Sequence, residues 1–104
     1  MDTVEEARLN EERRQLRKEK ELLESFKRLM VNPDFKKLVL DHYLESYAVS
    51  LVLQKANPGI TEESALGLEY QLNAIATFNR FLEGLKINAD TIDQRIVEAQ
   101  VQTN

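Results

Sequence analysis

Apolar and polar positions follow one another along this chain with helical spacing. In the first third the apolar positions are sparse but regular. Leu9, Leu16, Leu23 and Met30 recur every seven residues, an a-type heptad row. The d-type partners are Glu5, Glu12, Glu19 and Phe26, so most of this segment carries half a coiled-coil seam. Near its end the stripe widens to Leu22, Leu23, Phe26, Leu29 and Met30, a face wide enough to bury. The pattern predicts a helix from Val4 to about Met30. Residues from about 20 to 30 should dock on a body, and those from about 4 to 19 should project or pack weakly against another chain. Thr3 with Glu6 three residues on reads as a capping box. Glu24–Arg28, Glu11–Arg14 and Glu24–Lys27 are spaced for ion pairs along the helix surface.

Asn32-Pro33 ends this helix, because a residue before proline is pushed out of helical geometry. The same dipeptide starts the next one: Asn32 suits the cap, Pro33 the first helical position and Asp34 the positive end of the helix dipole. Residues 33–56 form the most apolar segment. At 100° per residue, Leu40, Tyr43, Leu44, Tyr47 and Leu51 fall on one side, and Phe35, Leu38, Val39, Val49 and Leu53 nearly opposite. A helix apolar on two sides needs covering on two sides. A third helix is expected to cover one side, and the first helix or a second copy of the chain the other.

Ala56-Asn57-Pro58-Gly59 is a turn by composition, and Thr61 caps a third helix of about residues 62–85, with Ile60 placed to staple onto Ala65. Leu68, Leu72, Ile75, Phe78, Leu82 and Leu85 keep 3–4 spacing along it. Two helices of similar length joined by a short turn predict an antiparallel hairpin. Gly84 and Asn88-Ala89-Asp90 suggest a break. A short last helix of about residues 89–101 would follow, or the third helix would continue with a bend, and the final three residues should fray. The expected fold is all-α, with a charged arm over 1–31 and a hairpin body with a short C-terminal helix over 32–104.

Composition sharpens this picture. The chain has 104 residues, enough for one modest core. Charged residues make up 31%, above the average of about 25%, as long solvated helices would require. With no cysteine there is no disulfide, thiolate ligand or cysteine nucleophile. The charged N-terminus lacks the apolar segment of a signal peptide. The run Tyr47–Leu53 is far shorter than the ~20 residues that span a bilayer. A soluble protein without membrane partners is expected.

Candidate chemistry is thin. The single histidine, His42, has Asp41 beside it and Glu45 one turn on, but a helical di-iron site needs a glutamate at the position held by Val39. A partly buried histidine with a local hydrogen bond is the expected role, and no metal or other cofactor is assigned. No GxSxG motif, phosphate loop or nucleophile–base pair is present, so no catalytic residue is assigned and a non-enzyme is expected. Arg13, Arg17 and Lys20 share a helix face that could bind anions, but interleaved Glu11, Glu12, Glu19 and Glu21 blunt it. The net charge of −4 also argues against nucleic acid. Tyr43 and Tyr47, one turn apart, could line a ligand pocket with Arg80, which would want a carboxylate or anion if partly buried. Association is the stronger theme. Leu9, Leu16, Leu23, Phe26, Met30, Phe35, Leu38, Val39, Val49 and Leu53 form the candidate interface of a homo-oligomer.

At NPDFKKLVLDHYL (32–44) and LNAIATFNRFLEGL (72–85) the chain resembles a family of short helical proteins encoded by tailed bacteriophages near the capsid and portal genes. The likeness runs from about residue 22 to 100. It includes a charged N-terminal helix, an Asn-x-Asp-Phe-Lys-Lys helix start and an Ala-Ile-x-x-Phe/Leu-x-x-Phe pattern, with His42-Tyr43 where the family often has Gly-Tyr. The resemblance implies a phage protein that joins or assists head assembly, located in the virion or the host cytoplasm, with phage structural proteins as partners. An accessory protein binding a host factor or nucleotide signal is the alternative, and a nucleic-acid-associated helical protein the next.

Overall fold

The computed structural model describes residues 3–102, with side chains through residue 98. Every regular element among the described residues is helical. Helix α1 spans Thr3–Met30. It is already helical at Thr3, so Thr3 is not its cap and the cap position lies outside the described residues.

Helix α2 occupies residues 33–55 in three consecutive stretches: Pro33–Phe35, Lys36–Tyr47 and Ala48–Lys55. Its start follows from side-chain chemistry. Asn32 is extended, and its Oδ1 accepts from the backbone N–H groups of Asp34 at 2.9 Å and Phe35 at 3.0 Å, satisfying donors that a helix start leaves open. Helix α3 spans Glu62–Gln102. The Thr61 hydroxyl accepts from Ser64 N–H at 3.1 Å as its cap. In the preceding turn the Asn57 side chain accepts from Gly59 N–H at 3.0 Å.

Two features depart from the sequence pattern. The middle stretch of α2, Lys36–Tyr47, is wound as a π-helix, closing its backbone bonds five residues back instead of four. Side chains reinforce that register. Ser46 Oγ donates to the carbonyl of Asp41 at 3.2 Å, five residues back, and the His42 and Tyr47 rings, also five apart, lie 6.2 Å apart. Helix α3 also runs through the expected break: of the two alternatives, a separate last helix does not form and the third helix continues. Gly84 keeps a helical sign of φ, and a glycine inside a helix costs only about 1 kcal/mol relative to alanine. Ala89, at the second suspected break, is buried with Leu23 and Ile92, so packing outweighs local preference there. The expected fraying of the last residues concerns Thr103 and Asn104, outside the described residues.

The chain forms two compact units, Met1–Leu29 with Gly84–Asn104, and Met30–Glu83. The expected boundary at 31/32 put α1 alone; the contacts group it with the last part of α3. In the first unit Leu23 and Ile92 are 2% and 1% exposed and pack with Ala89, supported by Leu16, Leu85 and Ile96. Within residues 4–19, expected to project or pack weakly, Leu16 reaches this core, while residues 4–8 and 10–15 are exposed. Glu19 pairs with Arg95 at 3.4 Å and Lys20 with Asp93 at 3.8 Å.

In the second unit Leu51, Leu68 and Ile75 form the core, with Tyr43, Leu44, Ala48, Ile60 and Leu72 packed on it. Lys55 pairs with Glu69 at 3.9 Å across the same two helices. Ile60, just before the α3 cap, also packs on this core.

Candidate functional site

The most distinctive surface lies in the second unit, on the π-wound stretch. It is an open, almost wholly apolar cleft of about 650 Å³ lined by Leu38, Val39, His42, Tyr43, Tyr47 and Phe78. All but Phe78 come from Lys36–Tyr47. On an α-helical wheel this set does not belong together. Residues five apart, such as Leu38 and Tyr43, lie about 140° apart at 100° per residue. With bonds closing at five residues they lie one turn apart. The π winding therefore joins members of the two opposed apolar faces into one surface, which an α-helical reading of the sequence cannot show.

The rings in the cleft are ordered by their contacts. Tyr43 stacks with Tyr47 at 6.2 Å and meets Phe78 edge-on at 5.9 Å, geometries in which aromatic pairs attract beyond simple burial. The Tyr47 hydroxyl donates to Gln71 Oε1 at 2.8 Å, tying the end of the π stretch to α3. His42 sits exposed at the rim instead of partly buried.

Helix α2 also leaves large apolar side chains open. Leu38, Val49 and Leu53 are 64%, 57% and 67% exposed, and Val52 is exposed with them. Phe35 and Val39 are half-buried. Of the other interface candidates, Leu23 and Phe26 are buried within the chain, and Leu9, Leu16 and Met30 are half-buried. The physical reason is that the single chain already uses the wide end of the α1 stripe, with Leu23 against Ala89 and Ile92.

Arg80 is exposed and does not line the cleft with Tyr43 and Tyr47. It reaches water and needs no buried partner. Arg13 and Arg17 are exposed on α1, with Arg13 donating to Asn10 Oδ1 at 3.5 Å, while Lys20 is drawn toward Asp93. The α1 surface is laced with pairs among its own charges: Arg8 with Glu5 and Glu12, and Arg14 with Glu11. Lys27 faces Asp93 at 3.6 Å and Arg28 donates to Ser25 at 3.0 Å, so neither forms the pair with Glu24 that spacing suggested.

Among the described residues no group of three or more His, Cys, Asp or Glu side chains could hold a metal ion. No helix among them is long and apolar enough to cross a membrane. No family model, curated protein or solved structure matches the chain.

Proposed function

We propose that this protein works without catalysis, by helix–helix association, as a homo-oligomeric structural or assembly component. The observation that carries the reading is the apolar surface that α2 leaves uncovered, where Leu38, Val49 and Leu53 each keep more than half their surface in water. Large apolar side chains left open together on one short helix mark interaction sites on small proteins. Burying them between two copies would remove apolar area at roughly 25 cal/mol per Å². The resemblance of residues 32–44 and 72–85 to short helical phage proteins supports tailed-phage head assembly as the setting, in the virion or the host cytoplasm, with other head proteins as partners.

Sedimentation equilibrium of the wild type beside Leu38→Glu and Leu53→Glu tests this. The wild type should self-associate at micromolar concentration and both variants should shift toward monomer. A wild type that stays monomeric would sink the self-association reading.

The aromatic cleft favours a second reading, an accessory protein that seats an apolar side chain of a host factor on Tyr43, Tyr47 and Phe78. A nucleotide suits it less, because no cation among the lining residues faces a phosphate. Nucleic acid is least supported, since Arg8 and Arg14 of α1 are paired with carboxylates on the same helix and Lys20 with Asp93.

A further inference from the structure

A second pocket, of about 520 Å³, lies in the same unit at the turn that joins α2 to α3. Its chemistry differs from that of the aromatic cleft. Uncharged polar side chains line it: Gln54 of α2, Asn57 of the turn, and Ser64 and Gln71 of α3. The buried Leu68 and half-buried Ile60 supply apolar wall. Gly67 also lines the pocket, and a Cβ there would meet nothing within 4 Å. The space a side chain would take is open, so a ligand can come close to the backbone of α3.

Three internal hydrogen bonds decide which half of each amide is left over. Gln54 Nε2 donates to Ser50 Oγ at 3.2 Å. Asn57 Oδ1 accepts from Gly59 N–H at 3.0 Å, and Gln71 Oε1 accepts from the Tyr47 hydroxyl at 2.8 Å. The Gln54 oxygen and the amide nitrogens of Asn57 and Gln71 are left for a ligand, with the Ser64 hydroxyl able to donate or accept. The lining thus offers acceptor and donors together and carries no charge. An ionised group would give up hydration there without gaining an opposite charge. A peptide amide matches this set, because it is neutral and carries one donor and one acceptor.

We propose that this pocket binds a main-chain amide of a peptide segment. The ligand carbonyl accepts from Asn57 Nδ2 and Gln71 Nε2, its N–H donates to Gln54 Oε1, and its chain passes over Gly67. The site is separate from the apolar surface of α2 and stands whether or not the chain self-associates.

A nuclear magnetic resonance titration of the full-length chain with a doubly capped alanine dipeptide tests it. The side-chain amide signals of Gln54, Asn57 and Gln71 and the backbone signal of Gly67 should shift together and saturate at millimolar dipeptide. Acetate, methylammonium and glucose at the same concentration should leave them in place. Gly67→Leu fills the pocket with a better helix former; it should keep or raise the thermal midpoint and abolish the shifts. Gln71→Ala, at an exposed position, should weaken binding about fivefold, the weight of one typical hydrogen bond. The proposal is overturned if the dipeptide gives no saturable shift at these signals, if acetate or glucose shifts them equally, or if binding survives unchanged in either variant.

Discussion

At the scale of single residues, a few side chains do most of the structural work, and each was chosen by chemistry visible in the sequence. Asn32 accepts from two backbone N–H groups at a helix start where nothing else satisfies them. Asn32→Ala should lower stability by about 1 kcal/mol, measurable as a reduced midpoint in urea. Leu51 and Leu53 make a sharper contrast. They lie two positions apart on the same helix, one 2% and the other 67% exposed. Leu51→Ala should cost about 2–5 kcal/mol through lost burial and a cavity, whereas Leu53→Ala in the monomer should stay within about 0.5 kcal/mol. Thermal unfolding at low protein concentration checks both. The α1 ion pairs lie on the other side of the balance. They are exposed, and such pairs contribute roughly 0–1 kcal/mol each; they keep the helix solvated more than they hold it.

At the scale of elements, caps and turns were legible and winding was not. The Asn32 and Thr61 side chains accept the hydrogen bonds that their positions suggested, and the turn forms where composition placed it, because these interactions span two to three residues and depend on little else. The π winding of Lys36–Tyr47 leaves no mark in the hydrophobic periodicity, because its contacts skip five residues or cross to α3 and an apolar pattern at 100° per residue assumes α geometry. The continuation of α3 past Gly84 has a similar origin. Breaking signals at Gly84 and Asn88-Ala89-Asp90 are local, while the burial of Ala89 and Ile92 with Leu23 is not. A Cβ at Gly84 would meet nothing within 4 Å and the backbone there is compatible with any L residue. Gly84→Ala should therefore stabilise the protein by up to about 1 kcal/mol, raising the thermal midpoint by a few degrees. A fall in that midpoint would show that the glycine is needed for some other conformation.

At the scale of the whole molecule, two compact units, each with its own core, replace an arm and a body. Open apolar surface is what the fold leaves over, and the expected loss of self-association in Leu38→Glu and Leu53→Glu belongs at this scale. Such an interface should resist salt, since apolar burial is not screened as exposed charge pairs are; sedimentation at low and high ionic strength would show similar association. The sequence alone determined the all-helical class, the caps at Asn32 and Thr61, the turn over residues 56–59, and the abundance of apolar positions on residues 33–55. Those follow from local propensity and from the spacing of apolar residues, which short-range geometry dictates. Only the tertiary structure decided that the α1 stripe is spent on the end of α3, that Arg80 stays in water, and that a change of winding joins the two faces of α2 at one aromatic cleft. Each of these depends on which distant side chain arrives to fill a given space, and that is settled by packing, not by neighbours along the chain.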